Sequence, residues 1–160
     1  MKRSFPLWTA GGVVLADKIF QGIAISELMQ AKDIYSYAIC FYPALNDYNI
    51  INTPMRILLL LLLAGCLYII LKYCSSSKNS DLLMGVGLVA GGAFSNSISW
   101  IFQGSVVDYI GFFTPNYDLI FNLADLAYIS GTLLVLLGVT REVLWMLGRI
   151  GKTGYRETKS

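Results

Sequence analysis

Four segments of this chain, residues 7–25, 54–73, 82–103 and 126–147, are each apolar over nearly the length a helix needs to cross a bilayer. About 20 residues at about 1.5 Å rise cover the ~30 Å of hydrocarbon. The runs do not alternate and are too long for barrel strands. Helices are then the form that satisfies the backbone's own hydrogen bonds at that depth. Composition agrees, with 56% hydrophobic and 14% charged residues in 160, against about a quarter charged in a soluble domain. The expected fold class is an all-α membrane protein with four transmembrane helices. It forms one domain over residues 1–151, followed by a polar, disordered tail over 152–160.

Lysine and arginine set the expected orientation. Lys2 and Arg3 precede the first segment, Lys72 and Lys78 flank the second connection, and Arg149, Lys152, Arg156 and Lys159 follow the fourth segment. The first connection, 26–53, sets Lys32 against Glu27, Asp33 and Asp47, and the third, 104–125, has no basic residue. The positive-inside rule then places both termini in the cytoplasm and turns the first and third connections outward. Asp17-Lys18 interrupts the first apolar run and no Ala-x-Ala-like cleavage site follows, so that run reads as a retained span rather than a signal peptide. In the first connection, Tyr35 to Tyr42 is rich in strand formers and is followed by Pro43, which predicts a small β or amphipathic element at the outer interface.

Several chemistries are excluded. The chain has no histidine, so an imidazole base, a histidine metal site and a Ser-His or Cys-His pair are ruled out. Cys40, Cys66 and Cys74 have no CxxC spacing, which argues against zinc and a disulfide framework. The net charge of +2 is small and dispersed and points to no nucleic-acid partner. Neither a metal nor a cofactor is expected.

The informative residues are polar ones in apolar surroundings, because an ionisable group inside a membrane helix is costly. Asp17 lies in the first segment, with Gln21 one helical turn later on the same face. The third segment holds Gly91-Gly92-Ala93-Phe94-Ser95-Asn96, small residues that permit close helix approach. Asn96, Ser99 and Gln103 then form a polar stripe towards its outer end, and Asp108 follows. Asn122 and Asp125 are three apart at the start of the fourth segment. They read either as a helix cap with an acid in the first turn or as site residues. Asp108 and Asp125 thus fall on one expected side of the bilayer.

These strings resemble the lipoprotein signal peptidases (signal peptidase II) of bacteria. The family's third-span pattern is approximately Gly-Gly-Ala-x-Gly-Asn-x-x-Asp-Arg, then Gly-x-Val-x-Asp-Phe-Ile. Its fourth-span pattern is Phe-Asn-x-Ala-Asp. Here they read Gly91-Gly92-Ala93-Phe94-Ser95-Asn96-Ser97-Ile98-Ser99-Trp100, Gly104-Ser105-Val106-Val107-Asp108-Tyr109-Ile110 and Phe121-Asn122-Leu123-Ala124-Asp125. The resemblance implies catalytic roles for Asp108 and Asp125 and substrate-binding or supporting roles for Asn96, Asn122 and Asp17. Gln21 and Ser99 stand at further positions of the same constellation. The chain departs from the family at Gln21 (often lysine), at Ser95 (glycine), at Ser99-Trp100 (Asp-Arg), and in lacking the Asn-x-Gly-Ala-Ala-Phe motif, whose asparagine Asn46 or Asn49 would replace.

By resemblance, the chain is an aspartic endopeptidase of the bacterial inner membrane with its active site towards the periplasm. It acts as a monomer on prolipoproteins that carry a diacylglyceryl cysteine, in contact with membrane lipid, and is open to globomycin-type inhibitors. Two other classes remain beside it: a divergent homologue that binds or delivers lipoproteins without general cleavage, and a membrane scaffold or proton-handling transporter subunit.

Overall fold

The computed structural model describes residues 4–28, 39–46, 79–113 and 117–157, together with positions 54, 57, 58, 61, 64, 65, 68 and 72. Helix α1 spans Phe5–Leu28, strand β1 Ile39–Asn46, helix α2 Ser80–Gln103, strand β2 Val106–Phe113, strand β3 Asp118–Phe121 and helix α3 Leu123–Glu157. The described positions between 54 and 72 are helical, within the segment predicted as the second span. Helices α2 and, over Leu123–Arg149, α3 are long and apolar enough to cross a membrane.

The burial pattern is inverted relative to a protein folded in water. Asp17, Gln21, Ser95, Ser99, Asp108 and Asn122 are buried, whereas Leu15, Ile19, Leu61, Leu133, Leu136, Leu144 and Trp145 are exposed. Burying polar groups while leaving large apolar side chains outside is unfavourable in water and favourable in hydrocarbon.

Helix α2 sits between the other two, and glycines set its distance from each. A Cβ on Gly87 or Gly91 would lie 2.8 Å from the carbonyl oxygen of Pro6 or Ala10 on α1. These two glycines are four apart and form the small-xxx-small spacing on that face. On the other face, a Cβ on Gly85 would meet the Gly131 carbonyl at 2.8 Å, and one on Gly92 would collide with the Ala124 carbonyl oxygen. At the opposite end, Asn79 caps α2 by accepting from the backbone N–H groups of Asp81 and Leu82, and its amide donates to the Gly138 carbonyl at 3.0 Å. Arg141 pairs with Asp81 beside that contact.

The strands form one antiparallel sheet in the order β1-β2-β3. The strand expected in the first connection is present, but Pro43 lies inside β1 rather than ending it. Proline has no N–H to give the ladder, and the register shifts between Phe41 and Ala44. The third connection is not a simple loop: Val106–Phe113 pairs with both neighbours and supplies the central strand. Its run of Val, Val, Tyr, Ile, Phe and Phe is a strand signal. Gly104 ends α2 at φ 75°, a left-handed conformation suited to glycine, and the chain turns directly into β2. Helix α3 begins at Leu123, earlier than the predicted apolar run, and continues to Glu157, into the segment read from sequence as a polar tail.

The Gly92 contact generates a prediction. A Gly92→Val substitution should lower stability by about 1–3 kcal/mol or more, read as thermal unfolding in detergent. Gly148→Val should leave it nearly unchanged, because a Cβ there meets nothing within 4 Å.

Candidate active site

The site is built on the amino end of α3. Strand β3 pairs with β2 as far as Phe121 opposite Ile110, and the chain then leaves the sheet through Asn122 into the helix. Asn122 caps it: the Asn122 Oδ1 accepts from the Asp125 backbone N–H at 2.9 Å, and the Asn122 backbone N–H donates back to Asp125 Oδ2 at 3.1 Å. This is a reciprocal capping box with aspartate as the returning acid.

The cap is also part of a larger constellation. Both hydrogens of the Asn122 amide are used, one donated to Asp108 Oδ1 at 2.8 Å and one to Asn96 Oδ1 at 3.1 Å. The Asn96 amide donates in turn to Asp125 Oδ1 at 2.8 Å. Asp108 on β2, Asn122 before α3, Asn96 on α2 and Asp125 on α3 are therefore joined through hydrogen bonds. Asn122 and Asp125 thus form the helix cap expected of them and also join Asp108 and Asn96 through hydrogen bonds. Asp108 and Asn122 are buried, while Asp125 and Asn96 are half-buried, so the constellation opens on the Asp125 side.

A second network lies behind the first. Asp17, with no exposed surface, accepts from Gln21 Nε2 at 2.8 Å and Ser95 Oγ at 2.6 Å on one oxygen. Its other oxygen accepts from Tyr109 OH at 2.9 Å and the Ala124 backbone N–H at 3.3 Å. Ser95, a departure from the resemblance, thus supplies a donor to Asp17. Gln21 and Ser99 are the two departures at which the family's Lys and Asp are absent, and they touch: Ser99 Oγ donates to Gln21 Oε1 at 2.8 Å.

The cation at this point is Lys18, which sequence reasoning noted only as an interruption of an apolar run. Its ammonium donates to Gln21 Oε1 at 3.0 Å, the Ser95 carbonyl at 2.9 Å and Ser99 Oγ at 2.5 Å, and lies 3.8 Å from Asp17 Oδ2. A charge at mid-segment was the signal available. Tyr109 was also missed as a site residue. Burial pushes its phenol above the ordinary range, so it stays a neutral O–H donor.

Asn46 lies at the end of β1, its backbone opposite Val106; Asn49 falls outside the described residues. Among the described residues no group of three or more acidic, cysteine or histidine side chains is placed to hold a metal ion.

Comparison with known proteins places the chain in a family and a fold. Residues 9–141 match the family model for signal peptidase (SPase) II. A lipoprotein signal peptidase of Nitrobacter hamburgensis is 33% identical over 84 residues, 49% of this chain and 51% of that protein, so the chain spans about half the length of this relative. One from Wigglesworthia glossinidia brevipalpis is 28% identical over 120 residues, 74% of this chain and 76% of that protein. The fold is shared with two solved bacterial membrane enzymes. One, at 2.3 Å resolution, superposes with a TM-score of 0.66 at 18% identity, covering 86% of this chain and 88% of the other. The second, at 1.9 Å, gives 0.64 at 19% identity over 84% and 91%. The chain belongs to the signal peptidase II family, a family of membrane aspartic peptidases.

The Lys18 geometry makes a second prediction. Lys18→Met removes a half-buried cation and leaves Ser99, Gln21 and Asp17 short of a donor or a counter-charge. It should lower stability by about 1–3 kcal/mol, less than a fully buried pair would because the lysine is partly exposed. Thermal unfolding in detergent reads this out, and an unchanged midpoint would remove Lys18 from the network.

Proposed function

We propose that this chain cleaves the signal peptide from prolipoproteins, with Asp108 and Asp125 as the catalytic pair. The observation that carries the proposal is the shared bracing of the two carboxylates: Asn122 holds Asp108, Asn96 holds Asp125, and the two amides hold each other. Neutral amides bring two acids to one place without adding charge. An aspartic peptidase needs this because close carboxyl groups must differ in protonation to act as base and acid.

In the proposed reaction, the ionised member of the pair takes a proton from water as the water oxygen attacks the scissile carbonyl. The protonated member donates to the carbonyl oxygen as it gains negative charge. Collapse of the tetrahedral intermediate breaks the C–N bond, and the proton passes to the leaving nitrogen. The half-buried face of Asp125 and Asn96 is the side from which a peptide would enter.

The relatives, named lipoprotein signal peptidase, support a lipoprotein precursor as the substrate class; in the proposed reaction its cysteine carries diacylglycerol and the cut falls immediately before that cysteine. Such a substrate lies in the bilayer, and the exposed apolar faces of the helices keep the enzyme there. The lysine and arginine distribution supports both termini in the cytoplasm and the site on the outer side of the membrane; four spans, the bacterial inner membrane, and residues 1–151 as the working domain of a monomer belong to the same proposal. Asn46, Asn49 and the first outer connection belong to substrate handling in this scheme, and globomycin-type cyclic peptides would compete at the site.

The purified protein should cleave a diacylglyceryl-modified precursor. Asp108→Asn and Asp125→Asn should each lower kcat by about a thousandfold or more while leaving the protein folded in detergent. Full cleavage by both variants would eliminate the pair, and binding of precursor without cleavage by the wild type would favour a delivery protein.

A further inference from the structure

Helix α3 presents Asp125 in its first turn, and the height of that turn against β2 decides where Asp125 stands relative to Asp108. The first-turn N–H groups all have acceptors. Asn122 donates to Asp125, Leu123 to Tyr109 OH, Ala124 to Asp17, Asp125 to Asn122 Oδ1, and Leu126 to the Asn122 carbonyl. Among the described residues, Tyr109 is the one side chain shown both to accept from α3 and to donate to α1, at 3.0 Å from Leu123 N and 2.9 Å from Asp17 Oδ1.

Its place on the strand gives that contact a consequence. Tyr109 follows Asp108 on β2, and successive strand residues point to opposite faces. Asp108 meets the Asn122 side chain while Tyr109 meets the Leu123 backbone N–H. Two adjacent residues of one strand therefore grip the helix start from two sides. The ring is held independently of the hydroxyl: Tyr109 is buried with Val107 and Ala24, and it stacks on Phe20 with centroids 5.9 Å apart. Phenylalanine, the residue of the family pattern at this position, would keep the ring and lose both hydrogen bonds.

We infer that the Tyr109 hydroxyl is a positioning residue for the peptidase reaction. It splints the first turn of α3 to Asp17 and so sets Asp125 against Asp108. The inference rests on the peptidase reading. Without the hydroxyl, Leu123 N loses its acceptor and Asp17 loses one donor. The helix start can then settle at a different height while the substrate-facing surface stays the same. The effect falls on the chemical step rather than on binding.

The test compares wild type, Tyr109→Phe, Asp17→Asn and the double variant in steady-state cleavage of a synthetic diacylglyceryl-modified lipopeptide, with rates normalised to the folded fraction. Tyr109→Phe should lower kcat about tenfold and leave KM within about twofold. In the Asp17→Asn background the same change should cost clearly less, because the two groups act through one contact. An unchanged kcat in Tyr109→Phe, a change confined to KM, or losses that multiply fully in the double variant would overturn the inference while leaving the peptidase reading standing. No cleavage by the wild type would overturn both.

Discussion

The amino end of α3 is the constraint on which the rest of this structure depends. A helix start leaves backbone N–H groups without intrahelical partners, and here they are buried among residues of three other elements. Each is answered by a group that also belongs to the site: the cap of Asn122, the returning carboxylate of Asp125, the Tyr109 hydroxyl and the Asp17 carboxylate. Asp17 places negative charge at the positive end of the helix dipole. The same hydrogen bonds that make the helix begin at Leu123 therefore place Asp125 next to Asn96 and bring Asn122 to Asp108.

That arrangement needs close contact between helices that have little apolar attraction for one another in lipid. Glycines on α2 supply it. Gly87 and Gly91 let α1 approach far enough for Lys18 and Gln21 to reach Ser99, and Gly92 lets the first turn of α3 lie against α2 where Asn96 follows. Packing and chemistry are coupled in this way, with small residues setting the distances over which short polar side chains can meet. The buried side chains of Asp17, Gln21, Ser95, Ser99, Asp108 and Asn122 then hydrogen-bond within the protein while large apolar side chains face outward.

Much of this was legible in the sequence. Long apolar runs identified the helices, Asp17 with Gln21 and the Asn96–Ser99 stripe gave the inward faces, and Phe121 to Asp125 marked the start of the last helix. The sheet was only half legible. The strand-forming residues of β2 are present, but they follow a helix closely and were masked by the expectation of a short connection. The bulge at Pro43 depends on pairing with a strand that lies far away in sequence. Lys18 and Tyr109 were missed for a related reason: their roles come from partners on other elements. A lysine at mid-helix announces a cost, but not the three oxygen acceptors that meet it.

The central claim is that Asp108 and Asp125 serve one reacting centre. The most direct measurement is a high-resolution structure of the chain in lipid, bound to a peptide that carries a tetrahedral hydroxyl in place of the scissile carbonyl. The account predicts that both carboxyl groups lie within hydrogen-bond distance of that hydroxyl, with Asn96 and Asn122 still joined between them. A bound peptide whose hydroxyl contacts neither carboxyl group, or a structure in which the two acids face separate surroundings, would contradict it.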